Sequence, residues 1–342
     1  MIQTDFNFII MKVYTDLSQI QFNRNRAITV GTFDGVHIGH IAIINNLTVN
    51  AKKKNLSSLL ITFEPHPQIF FQKRHNENYL KFPLLTTIDE KISILEKTNI
   101  DEVLIIDFEQ NFANLSAREF ITNFLMQKFG FKYFAIGFNH CFGKNREGNY
   151  QLLMQIQEEF KTNDNLSFEV EEIKQVKINS KNISSTEIRK LLIQENSSDD
   201  IIKKCNEILG YEYFVFGKVC KGKELGKKLG FPTANLEIFS ANKLLPKNGV
   251  YFCSIEIETE NYCNQKFFGV ANIGIQPTIT KNFDNQISTL EVHILDFSDD
   301  IYGKNIKVSF INFIRNEFKF DNIDKLIEQI NKDIALCKQL LA

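Results

Sequence analysis

The chain has 342 residues, with 40 Lys and Arg against 41 Asp and Glu, a formal charge of -1, 43% hydrophobic residues and no tryptophan. That length suits about two domains, and the near-neutral charge removes any bulk electrostatic drive to wrap nucleic acid or lie on an anionic membrane. No apolar run approaches the roughly 20 residues that span a bilayer, and the N-terminus lacks a signal peptide's basic start and apolar core, so a cytoplasmic enzyme without nucleic-acid or membrane partners is expected.

Met11 opens MKVYTDLSQI, a more usual protein start, so residues 1–10 read as an extension with little structure. Beyond it, short apolar or β-branched runs alternate with helical periods. Strands are expected at Ala27 to Val30, Ser58 to Phe63, Glu102 to Asp107, Tyr133 to Gly137 and Phe168 to Lys174. Helices are expected at His37 to Lys54, Thr87 to Thr98, Ser116 to Phe129 and Asn149 to Lys161. The repeated β-α order predicts a doubly wound parallel sheet, whose ligands gather at the carboxyl ends of strands. Two more helices, in ISSTEIRKLLIQEN and DDIIKKCNEILG, close this unit, with Gly210 as a C-terminal cap.

From Tyr213 the pattern changes. Phe214 to Val219, Val250 to Glu258, Lys266 to Asn272, Leu290 to Phe297 and Ile306 to Ile314 follow one another without long helices between them, which predicts a small antiparallel barrel. A final helix, Ile323 to Leu341, carries Ile323, Ile327, Ile330, Ile334, Cys337 and Leu341 as one apolar stripe, expected to pack on the barrel or the first domain. The domains are accordingly expected at 11–210 and 211–342. Six scattered cysteines without a C-x-x-C pair read as reduced thiols.

Two segments carry chemistry. GTFDGVHIGH, Gly31 to His40, lies where a strand hands over to a helix. His37 and His40 are three apart, on one face of a first helical turn that also presents unpaired N–H groups and the positive end of the dipole. The plain alternative is a helix start with satisfied polar groups. Far along the chain, Ser184, Ser185 and Thr186 read as capping hydroxyls with Arg189 a turn later, either an ordinary cap or a grip for the end of a triphosphate. The second segment, GKVCKGKELGKKLGFPTAN, carries Gly222, Gly226 and Gly230 among Lys221, Lys223, Lys227 and Lys228, then Pro232, Thr233 and Asn235. Thr and Asn oxygens suit Mg²⁺ accompanied by phosphate, while a solvated basic face is the plain reading.

In order along the chain, GTFDGVHIGH, TFEPHP (Thr62 to Pro67), IGFNHCFGKNREG (Ile136 to Gly148) and ISSTEIR resemble the adenylyltransferase half of the bifunctional bacterial riboflavin kinase/FAD synthetases. GFPTAN, GVY (Gly249 to Tyr251), NIGIQPT (Asn272 to Thr278), EVH (Glu291 to His293), Tyr302-Gly303 and IRNEFKF (Ile314 to Phe320) resemble the kinase half. The resemblance implies a nucleotidyltransferase domain followed by a kinase barrel, with ATP as co-substrate and riboflavin, FMN and FAD as substrates and products. It also implies a nucleotide site involving Gly31, Phe33, Gly39, Ser185 and Thr186, with His37 and His40 stabilising phosphate charge and Ser184 and Arg189 holding the departing phosphates.

Flavin contacts are implied at Phe63, Pro65, His66 and Asn139, although His140 and Cys141 depart from the family's usual Phe and Arg. In the barrel, Gly222, Gly226, Gly230 and Pro232 would hold nucleotide, Thr233 and Asn235 would bind Mg²⁺, and Glu291 would act as general base. Arg315 would shape the flavin pocket. Taken alone, Glu291 could equally be a solvent-facing strand residue and His293 a satisfied structural one. A chain with one decayed activity, another H-x-G-H nucleotidyltransferase, or a non-catalytic flavin-binding protein are the competing readings, separated by turnover of ATP.

Overall fold

The computed structural model describes residues 10–75, 82–163, 165–178, 181–194, 201–222, 225–276 and 287–341. Lys223, Pro277 and Thr278 of the sequence motifs, and residues 1–9 of the expected extension, lie outside these ranges. By compactness the chain divides into Met1–Phe82 with Ile88–Ser184, and Pro83–Thr87 with Ser185–Ala342.

In the first unit the strands are β1 Lys12–Tyr14, β2 Arg26–Val30, β3 Ser57–Glu64, β4 Glu102–Asp107, β5 Tyr133–Gly137 and β6 Glu169–Ile173. They pair in the order β1-β4-β3-β2-β5-β6, all parallel. The helices are α1 Ile38–Lys53, α2 Pro67–His75, α3 Ile88–Leu95, the single turns α4 Gln110–Ala113 and α5 Ala117–Glu119, and α6 Tyr150–Glu159. β2, β3 and β4 are buried nearly throughout because helices cover a parallel sheet on both faces. From β2 the chain winds outward through β3 and β4, then returns to β5 on the other side of β2. The carboxyl end of β2 is therefore the topological switch point, where open parallel sheets form their crevice. A small hairpin, β7 Lys177–Ile178 and β8 Lys181–Asn182, ends the unit.

Two elements differ from the sequence reading. β1 was not foreseen, being only three residues long. The single helix expected over Ser116 to Phe129 begins as α5 with a Ser116/Glu119 capping box, then continues as a π-helix over Phe120–Phe129. Its buried pairs, Phe120 with Ile121 and Leu125 with Met126, recur at an interval of five, the hydrogen-bond step of that wider helix.

In the second unit α7 Ser185–Ile193 and α8 Ile201–Leu209 precede a closed barrel. Its strands are β9 Phe214–Cys220, β10 Ala234–Ile238, β11 Gly249–Ile257, β12 Phe267–Gln276, β13 Ile287–Ile294 and β14 Asn305–Arg315. One turn, α9 Leu225–Lys228, leads toward β10, and α10 Ile323–Leu341 ends the unit. Gly210 caps α8 at φ 82° as expected. Ile188, Leu192, Ile202, Cys205 and Leu209 share one core with the barrel interior, so both helices belong to the compact barrel unit although the domain boundary was expected at 210.

β10 is the sixth strand that closes the barrel, in a stretch where no strand was expected from sequence. α10 has the expected span, but its stripe is corrected. Ile323 is 59% and Leu341 43% exposed, and it is the central face around Ile334 and Cys337 that packs against Phe252, Phe268 and Val270 of the barrel wall.

Candidate active sites

The loop after β2 builds the first site. Gly35 takes φ 82°, Phe33 46° and Val36 32°, so three residues of one tight turn occupy the left-handed region, two of them at steric cost. The turn delivers His37 as N-cap of α1, where its Nδ1 accepts the backbone N–H of His40 at 3.3 Å. With Nδ1 an acceptor, the neutral ring carries its proton on Nε2, a donor available to a phosphate oxygen. The His37 and His40 rings stack at 3.7 Å and 13°, and Phe33 meets His40 edge-on at 5.2 Å. Gly39 explains the spacing: a Cβ there would lie 3.1 Å from the His37 ring.

Burial holds His37 down at about 4 and keeps it neutral near pH 7. His40 is pushed well below its usual range by burial first, then by the charges of His37, His140 and Lys91. Its Nδ1 is a buried polar atom without a hydrogen-bond partner, an orphan of the kind that an anionic ligand's oxygens would satisfy. His140, on the loop after β5, is itself held at about 4 by burial and by Arg146. Asn139 beside it is exposed at φ 57°. The sheet order thus brings the loops after β2 and β5 to the switch point, while Gly31 closes β2 by donating its N–H to Ile61 O at 3.0 Å.

The flavin residues expected in TFEPHP are differently engaged. Phe63 is buried and packs against Phe108 and Phe112 within the core. Pro65 follows a cis peptide bond. His66 caps α2, its Nδ1 accepting the Gln68 N–H at 3.2 Å, and Phe82 covers one face of its ring at 4.7 Å. TFEPHP thus ends β3 and starts α2. Ser184 is exposed just ahead of α7, which begins with Ser185 and Thr186, and Arg189 Nε donates to Pro83 O at 2.7 Å.

The barrel carries the second site. Asn235 on β10 pairs in register with Glu291 on β13, which pairs in turn with Asn272 on β12. Directly opposed residues share a face, so these three side chains lie together. Their neighbours Leu236, Leu290, Val292 and Ile273 fill the interior, which places the three on the outer wall. A Cβ on Gly222 would lie 2.1 Å from Asn235 Nδ2, so the Asn235 amide occupies the space the missing side chain leaves. Gly226 O accepts the N–H groups of Leu229 and Phe231, and Gly230 is exposed at φ 88°, folding the glycine-rich segment over Thr233. His293 donates Nδ1–H to Pro232 O at 2.8 Å, so it supports the Pro232-Thr233 lead into β10 rather than the carboxylate.

Thr233 and Pro232 line a cavity of about 200 Å³ with Ala234, Asp299, Asp300 and Tyr302. Neither Asn235 nor Glu291 lines it, so the cavity flanks the pair. Thr233 and Asn235 supply neutral oxygens, and no group of three or more His, Cys, Asp or Glu among the described residues could hold a metal. Such a donor set fits Mg²⁺ that keeps water and substrate phosphates in its shell. Arg315, expected at the flavin, forks onto Asp333 of α10. Nε lies 3.1 and 3.0 Å from the two oxygens and Nη2 2.7 Å from one, while Nη1 donates to Asn316 O.

A family model for FAD synthetase matches residues 19–187, and one for riboflavin kinase matches residues 209–341. The bifunctional riboflavin kinase/FMN adenylyltransferase of Buchnera aphidicola subsp. Schizaphis graminum is 37% identical over 321 residues, 93% of this chain and 95% of its own. That of Escherichia coli (strain K12) is 34% identical over 307 residues, 90% of each chain. This chain belongs to the bifunctional riboflavin kinase/FMN adenylyltransferase family. A crystal structure described as a macrolide-efflux protein from Streptococcus pneumoniae is also similar, with TM-score 0.79 at 28% identity over 96% of this chain and 99% of that one. That description names transport, whereas no helix among the described residues here is long and apolar enough to cross a membrane.

Within the FAD synthetase region the sequence reading missed Lys91, whose Nζ reaches the Thr32 carbonyl at 2.7 Å. The available signal was its place three residues before Ile94 and four before Leu95, on the buried face of α3. Within the riboflavin kinase region it missed Asn272, whose amide donates to Glu317 at 3.1 Å beside Glu291, and Asp333. Asp333 lies on the inward face of α10, again a charge at an apolar position.

Proposed function

We propose that this chain makes flavin cofactors in two ATP-dependent steps, phosphorylating riboflavin to FMN in the barrel and transferring AMP to FMN, giving FAD and pyrophosphate, at the parallel sheet. The observation that carries the reading is the pair of separately built sites in one chain. Stacked His37 and His40 stand at a topological switch point, and Asn235 stands opposite Glu291 on a barrel wall. A flavin-storage protein would need neither.

In the first step Glu291 accepts the proton of the ribityl 5'-hydroxyl, whose oxygen attacks the γ-phosphorus while the bond to the departing ADP breaks. A positioned carboxylate orients that hydroxyl as well as deprotonating it. Thr233 and Asn235 would hold Mg²⁺, which when bound with ATP neutralises phosphate charge. Gly222, Gly226, Gly230 and Pro232 shape the loop that approaches the nucleotide, and the cavity beside Thr233 gives it a concave wall.

In the second step an FMN phosphate oxygen attacks the α-phosphorus of ATP and pyrophosphate leaves. The attacking group is already ionised, so no general base is required. His37 Nε2–H and the His40 ring act as fixed donors toward charge that grows in the transition state. Gly31, Phe33 and Gly39 set the turn that aims them. Ser184 and Arg189, with Ser185 and Thr186, take the role of holding the outer phosphates through their match to the family motif. Asn139 is the more accessible flavin candidate, because Phe63 and His66 already pack against other rings and Pro65 serves the turn between them. ATP use and six free cysteines fit a cytoplasmic enzyme.

The test is to incubate the purified chain with riboflavin, Mg²⁺ and ATP and to separate the flavins over time. FMN should appear first and FAD after it, and excess chelator should stop both. Flavin that stays bound without ATP consumption would overturn the reading, as would continued FMN synthesis in chelator for the roles of Thr233 and Asn235.

A further inference from the structure

A lysine is rarely buried unless its ammonium is held by partners. Lys91 is 4% exposed, on the inner face of α3 with Ile94 and Leu95. Its Nζ donates to Thr32 O at 2.7 Å and to Thr62 Oγ1 at 3.1 Å, and the Thr62 hydroxyl itself donates to Thr32 O at 3.1 Å. Burial lowers the Lys91 ammonium from its ordinary range, and Asp34 and Glu64 act against that and favour its charge. One side chain thereby joins three elements: α3, the end of β3 and the loop that follows β2.

Thr32 is the residue before Phe33, where the left-handed turn that ends at His37 begins. Left-handed non-glycine residues persist only where their surroundings hold them. The Thr32 carbonyl is the point at which the turn is held from below, and the ammonium is its shortest contact there. The same charge also reaches His40, adding to the effect of burial on that ring.

We infer that Lys91 is a positioning residue for adenylyl transfer: its ammonium fixes the Thr32 carbonyl and so the turn that aims His37 and His40 at the phosphates. The inference rests on the reading of this unit as the FMN adenylyltransferase. Lys91 need not touch substrate; it acts through the turn.

The test uses the full chain with Lys91→Met, which keeps most of the apolar stem and removes the charge, and with the pair Thr62→Val and Thr62→Ser. Measured are kcat and KM for FMN and ATP in FAD formation, riboflavin phosphorylation by the same preparations, and melting temperature. Misplacing groups that act in the transition state by about 1 Å costs on the order of 100-fold. Lys91→Met should therefore lower kcat for FAD formation about 100-fold, with each KM within about threefold and riboflavin phosphorylation unchanged. Thr62→Val should lose about tenfold in kcat and Thr62→Ser should restore it.

Unimpaired kcat in folded Lys91→Met, or a loss confined to KM, overturns the inference. Should Lys91→Met not fold, the Thr62 pair decides: equal kcat in Thr62→Val and Thr62→Ser overturns it. A wild-type chain that phosphorylates riboflavin but never forms FAD would instead overturn the underlying functional reading, and the inference with it.

Discussion

Asn235 and Glu291 are direct partners across β10 and β13, on the same outward face of the barrel wall. Such pairs place their Cβ atoms roughly 4.5–5.5 Å apart, so on the proposed roles a phosphate at Asn235 and a hydroxyl at Glu291 would lie within one strand spacing. Glu291→Gln keeps the shape and removes the proposed base. Its kcat for FMN formation should fall about 100-fold or more, in the range of general-base catalysis, while FAD formation from supplied FMN continues. Asn235→Ala should show the same selectivity, with a raised KM for ATP. Initial rates with riboflavin or FMN as sole flavin check both.

Gly222 offers a finer probe of the same wall. A methyl there would sit 2.1 Å from Asn235 Nδ2 and 2.4 Å from its Cγ, well inside contact distance. Gly222→Ala should displace the Asn235 amide and weaken riboflavin phosphorylation about tenfold or more, with little change in melting temperature because the glycine is only half-buried in a loop. Full kinase activity in Gly222→Ala would show that the Asn235 position is not needed.

His40→Ala removes one ring of the stacked pair together with the orphaned Nδ1. FAD formation should drop at least 100-fold, as for the loss of one positioned transition-state donor, and FMN formation should be spared. His37→Ala should add a stability cost of about 1 kcal/mol, since its Nδ1 also caps α1. Thermal melting of the two variants separates cap from catalysis. Equal loss of both activities in folded single variants would contradict two sites.

Much of this was legible in the sequence because the chemistry is local there. The His37-Gly39-His40 spacing, the Gly230 to Asn235 motif and the α10 span can each be read from one segment. β10 was not legible, since Ala-Asn-Leu-Glu-Ile is short and its strand character comes from partners on β9 and β13. Phe63 looked like a ring free for flavin because sequence does not show Phe108 and Phe112 closing on it. Lys91 was not singled out in the sequence, and only the fold reveals that its acceptors lie 59 and 29 residues away.

The imidazoles at the switch point make the first unit sensitive to acid. His37 and His140 are both held at about 4, and His40 lies well below its ordinary value, so all three are neutral in the native state near pH 7. In the unfolded chain the rings titrate near 6.5. Above that pH neither state binds these protons and they contribute no pH dependence. As pH falls from about 6.5 toward 4 the unfolded chain takes up protons that the native one refuses, and stability drops by at most about 1.4 kcal/mol per pH unit for each ring. Glu64, raised by burial, acts in the opposite sense as pH falls, so the imidazole effect is read from the start of the interval just below 6.5. Melting temperature should decline across it, less steeply in His140→Asn. Native ring resonances that titrate near 6.5 would contradict this.

Arg315 distinguishes a flavin contact from a structural clamp. Its fork closes on Asp333, which is 4% exposed, and its guanidinium lies 4.6 Å over the Phe318 ring. Removing one partner of such a pair leaves a poorly solvated charge and typically costs about 3–5 kcal/mol, whereas replacing both with apolar groups can be neutral. Arg315 keeps 19% of its side-chain surface, so Asp333→Leu alone should cost about 3 kcal/mol, the lower end. The double variant Arg315→Met/Asp333→Leu should recover most of that stability. If the arginine only ties α10 to the end of β14, the double variant should also keep its KM for riboflavin within about threefold. A stable double variant whose riboflavin KM rises tenfold or more would return Arg315 to the flavin pocket.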